Sequence, residues 1–114
     1  MLEVSADAGK ALCRLEDIPD GGAIAVDVDS STGGFNVMVV RQGERVYAYH
    51  NECPHAGRRL DWSPGKFLIK DGVIICAAHG ATFDVPTGAC LGGPCRSGLA
   101  GIPVDVVGTD VTMP

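Results

Sequence analysis

Long apolar runs are missing from this chain. The longest stretches free of charge and turn-forming residues span only a few positions, such as Phe67-Leu68-Ile69 and Val73-Ile74-Ile75-Cys76. A membrane span needs about 20 apolar residues, and a signal peptide about 7–15 behind a basic start. The opening Met1-Leu2-Glu3-Val4-Ser5-Ala6-Asp7 offers neither. The expectation is a soluble, cytoplasmic protein that does not engage a membrane. Positive charge is also scarce: 9 Lys and Arg face 14 Asp and Glu, for a net charge of −5. A nucleic-acid binder needs a basic surface to displace counterions, so that class is excluded. Internal repeats and low-complexity tracts are absent as well.

What is present suits one β-rich domain. The 114 residues make a common single-domain length, and the apolar fraction of 46% is enough for a modest core. Gly and Pro together supply 23 residues, which favours many short elements over a few long helices. Residues 1–10 carry no pattern and read as a loose lead-in. Residues 11–15 read as an edge strand ahead of the turn Ile18-Pro19-Asp20-Gly21-Gly22. Alternation then marks strands at Ala23 to Val28, Phe35 to Val40 and Arg45 to Tyr49, with a turn from Asp29 to Gly34. Between about residues 50 and 98 the character changes to loops rich in Gly, Pro and ligand-type side chains. Lys70-Asp71-Gly72 joins two apolar runs, and Asp-Gly is a strong hairpin signal. A second hairpin runs from Ala81-Thr82-Phe83-Asp84 through Val85-Pro86-Thr87-Gly88 to Ala89-Cys90-Leu91. Strand character resumes from Ile102 to Val107 and from Val111 to Met113. The expectation is an all-β domain over 1–114, a β base built from both ends of the chain with a subdomain at 50–98 inserted into it.

The cysteines are Cys13, Cys53, Cys76, Cys90 and Cys95. An odd count without an export signal argues against a disulfide framework and for metal binding. Two pairs stand out: Cys53-Pro54-His55 and Cys76-Ala77-Ala78-His79. Each supplies one sulfur and one nitrogen, and Gly57 and Gly80 lie just beyond the two histidines, where the absence of a Cβ lets backbone N–H groups approach a bound group. A structural zinc site would also take two thiolates and two imidazoles. Its usual knuckles keep the two cysteines together and the two histidines together, unlike the mixed pairs here. A Cys–His nucleophile would need a third orienting group and would leave one pair idle.

The segment CPHAGRRLDW…CAAHGATFDVPTGACLGGP resembles the Rieske family of [2Fe–2S] proteins, and the likeness runs from about Leu12 to Val107. It implies an antiparallel β-sandwich or barrel base with an inserted cluster-binding subdomain. Within the resemblance Cys53 and Cys76 hold one iron through thiolates, and His55 and His79 hold the other through imidazole nitrogens. The same four residues are thus both cofactor-binding and metal-binding, and none is catalytic. Gly92-Gly93-Pro94 is similar to the family's third loop, which covers the cluster. The chain departs from compact members in the 20 residues between His55 and Cys76, with Trp62-Ser63-Pro64-Gly65-Lys66 as the apparent insertion. High-potential members carry a Ser two residues after the second His, a Tyr four after it, and a disulfide between the ligand loops. The corresponding positions here are Ala81 and Phe83 for the hydroxyls, and Arg58 and Ala81 for the cysteines. Cys90 and Cys95 are expected as small buried hydrophobes beside the cluster, in preference to a local disulfide. Cys13 is expected in the core, His50 solvated at a strand end, and Trp62, Phe67 and Phe83 as packing, with Trp62 also a candidate for the electron path.

A Rieske cluster moves single electrons and does no bond chemistry alone. The related oxygenases add a mononuclear iron held by two histidines and a carboxylate, and only His50 is left over here among the three histidines. The chain therefore reads as a ferredoxin, not an enzyme. It would pass electrons from a flavin-containing reductase to a terminal enzyme such as a ring-hydroxylating oxygenase. The alternatives are the small subunit of a nitrite-reductase-like complex, a redox-sensing module and, last, a structural zinc domain. Residues 53–98 carry a net +2 and the remainder −7, which suggests arginines around the histidines steering an acidic partner face.

Overall fold

Val37 and Val39 point to one side of a strand and Met38 and Val40 to the other, and all four are completely buried. That double burial organises the molecule. The computed structural model describes residues 2–5, 11–30, 33–54, 59–77, 80–93, 95 and 97–113. Within them lie β1 (Leu2–Ser5), β2 (Ala11–Arg14), β3 (Ala23–Ser30), β4 (Gly33–Gln42), β5 (Arg45–His50) and β6 (Leu68–Lys70). The chain continues through β7 (Val73–Ile75), β8 (Thr82–Asp84), β9 (Cys90–Gly92), β10 (Gly101–Ile102), β11 (Asp105–Val107) and β12 (Asp110–Thr112). The described residues contain no α-helix, only one short 3-10 turn at Leu15–Asp17. The described residues are all-β, as expected.

Three sheets result. The largest has the order β1-β3-β4-β5-β10, a second has β11-β12-β2, and a third has β6-β7-β8-β9. Strands from both ends of the sequence form the first two, so the base is built from the chain's two ends. One face of the largest sheet, with Val26, Val28, Val37, Val39 and Ala48, packs on Leu12, Cys13, Ile18 and Val111. The opposite face offers Met38, Val40 and Tyr49 to Leu60, Ile74, Phe83 and Val85 of the inserted region. Each such fully buried aliphatic side chain contributes about 1.5–3 kcal/mol of burial energy. Cys13 belongs to the first of these cores; burial, helped by the charge of Asp17, pushes its thiol up to about 12.

Several sequence expectations change in detail. The lead-in contains a strand: β1 runs parallel to β3, Leu2 opposite Val26 and Ser5 opposite Asp29. Four residues are too few for alternation to declare itself, and the pairing comes from the neighbouring edge. The turn expected over 29–34 is much tighter, because Asp29 pairs with Gly34 and Ser30 with Gly33. The polar, glycine-rich run is therefore strand almost to its tip. Lys70 pairs with Val73, which leaves Asp71-Gly72 as a two-residue hairpin turn with φ of 52° and 76°. Both central residues at positive φ is the arrangement that suits the strand twist. Pro103 lies between β10 and β11, which divides the run expected from Ile102 to Val107 into two short strands.

Tyr49 joins the base to the inserted region. Its hydroxyl donates to the Val85 carbonyl at 2.6 Å, and its ring lies so close to Gly88 that a Cβ there would stand 2.6 Å from a ring carbon. Burial, with the nearby Asp84 and Tyr47, raises the Tyr49 phenol to about 12. It stays protonated and donating at any ordinary pH.

Candidate metal centre

The first of the two cysteine loops leaves the base where β5 ends at His50. Asn51 follows, 5% exposed and the one buried polar residue among those described. Its side-chain oxygen accepts the Leu60 N–H at 2.9 Å, so one amide closes the loop from 51 to 60. Cys53 inside that loop is fully buried. The second loop begins at Cys76, directly after β7. The Cys76 N–H donates to the Ala81 carbonyl at 2.7 Å, and the Gly80 N–H donates back to the Cys76 carbonyl at 2.9 Å. Gly80 sits at φ 75° with open space where a Cβ would be. The two loops are tied together by the Ala77 N–H on the Leu60 carbonyl at 3.3 Å. Cys53, Cys76, Leu60, Ala81 and Phe83 share one apolar cluster.

A third loop backs onto the second. Gly93 has φ 82°, and a Cβ on it would stand 2.8 Å from the Ala81 Cα and 3.0 Å from the Gly80 carbonyl oxygen. Only glycine allows that approach. Of the four expected ligands the structure thus brings Cys53 and Cys76 onto adjoining loops, neither in a disulfide. His55 and His79 lie outside the described residues, as do Arg58, Pro94 and Arg96.

A family model described as the Rieske [2Fe-2S] domain matches residues 9–103. The chain belongs to the Rieske [2Fe–2S] family. A 3-phenylpropionate/cinnamic acid dioxygenase ferredoxin subunit from Escherichia coli K12 is 32% identical over 99 residues, covering 87% of this chain and 86% of the relative. The ferredoxin of carbazole 1,9a-dioxygenase from Nocardioides aromaticivorans IC177 is 33% identical, covers 93% of this chain and 96% of its own, and superposes with a TM-score of 0.73. A ferredoxin–oxygenase complex of carbazole 1,9a-dioxygenase gives 26% identity, coverage of 90% and 89%, and a TM-score of 0.74. This Rieske protein is accordingly an electron-transfer component and not an enzyme in its own right, and its cofactor is a [2Fe–2S] cluster.

The residues described fit that group. A Rieske centre takes two thiolates on one iron, and here two thiols, both outside any disulfide, lie buried on loops held by a direct hydrogen bond. Thiolate sulfurs in an apolar shell are shielded from water, which is one of the protein's levers on a cluster's potential.

The disulfide expectation has to be corrected. Cys90 and Cys95 are bonded to each other, with Cα atoms 6.0 Å apart. The bond forms within one loop and does not cross between the two cysteine loops. The physical reason is the reversal at Gly92-Gly93: the left-handed φ of Gly93 turns the chain so that Cys95 returns beside the strand carrying Cys90. The bond encloses the loop that presses on Ala81. Loop-closure entropy for so short a ring is worth about 2 kcal/mol. Cys90→Ser should therefore lower unfolding stability by about that amount in denaturant titration while iron and sulfide content stay near wild type. Loss of the cluster together with the bond would show that the staple is needed for assembly.

Other side chains behave differently from the sequence reading. Phe83 is fully buried and Phe67 packs beside it, but Trp62 is 58% exposed, with the Lys66 ammonium 5.3 Å from its ring centre. Packing is therefore not its role. Its exposure follows from the tight turn in which Trp62 N–H donates to the Lys66 carbonyl and Lys66 N–H to that of Ser63. His50 is half-buried, its ring tilted against Phe35 with centroids 5.1 Å apart, so it is not simply solvated. Arg59 makes a two-pronged pair with Asp61, at 2.9 and 2.8 Å. Burial disfavours the Asp61 carboxylate, but bonds from Arg59, the Gly65 N–H and the Asn51 side chain outweigh it and hold its pKa below the ordinary value. Nothing in the local spelling of the chain announced Asn51 or this pair.

Proposed function

We propose that this chain is a cytoplasmic one-electron ferredoxin, a single domain over 1–114, in which Cys53 and Cys76 bind one iron and His55 and His79 the other. Its donor would be a flavin-containing reductase and its acceptor a terminal oxygenase of the ring-hydroxylating kind. The observation that carries this reading is the pair of buried thiols on adjoining loops, Cys53 and Cys76, the second of these loops backed by Gly93. Two further supports are the ferredoxin relatives matched over nearly their whole length and, for location, the lack of any helix among the described residues long and apolar enough to cross a membrane.

When bound, the cluster supplies a one-electron couple that needs no proton or bond change in the protein. The chain's own work is to hold the four ligands, shield the sulfurs and leave an approach for a partner. Reduction of the purified protein by an NAD(P)H-linked flavin reductase, followed by oxygenase turnover that depends on added chain, tests the assignment. An intact cluster that no such reductase reduces at catalytic rates would replace the carrier with a redox-sensing role. Arg58→Glu is expected to slow transfer to the partner, and raised salt to do the same, since steering is screened within about 10 Å at 0.1 M. Rates indifferent to both would remove the steering while leaving the carrier.

A further inference from the structure

The bonds at Asn51 belong to a longer string. The Ala77 N–H, next to Cys76, donates to the Leu60 carbonyl at 3.3 Å. The Leu60 N–H donates to the Asn51 side-chain oxygen at 2.9 Å. The Asn51 amide nitrogen donates to the Asn36 side-chain oxygen at 2.8 Å. The Asn36 amide nitrogen donates to the Asp27 carboxylate at 2.8 Å. Asp27 and Asn36 face each other across β3 and β4, and the Asn51 N–H also donates to the Asn36 carbonyl at 3.0 Å.

Two properties follow from this geometry. One amide links the first cysteine loop to the base and, through Leu60, to the second, because Asn51 stands two residues before Cys53 and the Leu60–Ala77 bond ends one residue after Cys76. Furthermore, these four bonds run in one direction toward Asp27, with a side branch where the Asn51 side chain also bonds the Asp61 carboxylate. Bonds aligned in one direction polarise one another inside a low-dielectric interior, and a carboxylate at the end makes each acceptor along the string more negative. The far end of that string lies beside a sulfur ligand.

We propose that Asp27, Asn36 and Asn51 are positioning residues of the Rieske centre: they fix the two thiolate loops and transmit the Asp27 charge to the cluster, where it disfavours the added electron. This rests on Cys53 and Cys76 being ligands. Arg59 also feels the Asp27 charge, but its guanidinium is occupied on Asp61 and does not close the string.

The test is a double-mutant cycle read by voltammetry of the cluster-loaded protein. Asp27→Asn keeps an oxygen acceptor for Asn36 and removes only the charge. It is expected to shift the one-electron equilibrium toward the reduced form by about threefold, the scale of one removed charge acting at moderate effective dielectric. In the Asn36→Ala background the same change should have no effect, since the string is already cut. An equal shift in both backgrounds would mean that the charge acts through space alone, and no shift in either would remove it altogether; both results overturn the proposal. Amide exchange at Leu60 supplies a readout independent of electron transfer, and should speed up at least tenfold in Asn51→Ala. Unchanged exchange there would refute the anchoring. If Asn51→Ala does not fold, Asn36→Ala, at a half-buried position, carries the same measurement. An unaltered cluster in ligand variants would instead refute the ligand assignment, so the two failures are distinct.

Discussion

His79→Ala is expected to purify colourless, with essentially all cluster iron lost and no Rieske spectrum. The paired spelling Cys53-Pro54-His55 and Cys76-Ala77-Ala78-His79 leaves no spare nitrogen close by in sequence, and His50 lies tilted against Phe35 at the end of β5. Cys53→Ala and Cys76→Ala should give the same result, because each removes one of the two buried thiols on the adjoining loops. Cys13→Ser is the control. Cys13 is equally buried but belongs to the opposite core, with Leu12, Ile18 and Val111, and its substitution should cost stability without touching iron content. Iron and sulfide analysis with electron paramagnetic resonance reads all four variants. A Rieske signal that persists unchanged in His79→Ala would overturn the ligand assignment, and zinc in place of iron would overturn the cluster itself.

The second large effect concerns the midpoint potential. Rieske centres span about −150 to +300 mV, tuned in part by hydrogen bonds to the sulfurs. The two hydroxyl positions of high-potential members are Ala81 and Phe83 here, and both side chains are fully buried with nothing to donate. Among the described residues no disulfide links the two cysteine loops, for the one found closes the third loop upon itself. The midpoint is therefore expected in the low part of the range, below zero, where a flavin can reduce the centre. Voltammetry well above zero would sink this reading. Ala81→Ser and Phe83→Tyr restore the donors one at a time, and each should raise the value by tens of millivolts. If neither does, the missing hydroxyls are not the cause of a low potential. Ala81→Ser meets a tight site, since the Gly93 backbone already lies against Ala81, so Phe83→Tyr is the cleaner of the two.

Much of this architecture is legible in the amino-acid sequence. The hairpins at Asp71-Gly72 and Pro86-Thr87 announced themselves through local turn chemistry, β3 and β5 through alternation, and β4 through its run of β-branched residues. Cys53 and Cys76 drew attention in the sequence because a metal dictates residue type and spacing within a few positions, and the fold does bring these two buried cysteines onto adjoining loops. What stayed hidden depends on distant parts of the chain meeting. β1 exists only because the β3 edge receives it. The Cys90–Cys95 bond depends on a left-handed Gly93, not on the spacing that guides cross-loop disulfides. Asn51 looks like any polar loop residue until Leu60 and Asn36 are brought to its two ends. Trp62 misled for the opposite reason: a large aromatic normally buys burial, but a tight turn turned this one outward.

The doubly buried β4 has a consequence for how the molecule comes apart. Val37 and Val39 belong to one core, Met38 and Val40 to the other, so a single strand is the party wall of two rooms. Neither room can be emptied without breaching that wall. Bleaching of the cluster and melting of the remote β2–β12 pair should then trace one cooperative curve in denaturant, and a carrier that has lost its fold at the far end cannot linger as a half-open, iron-leaking species.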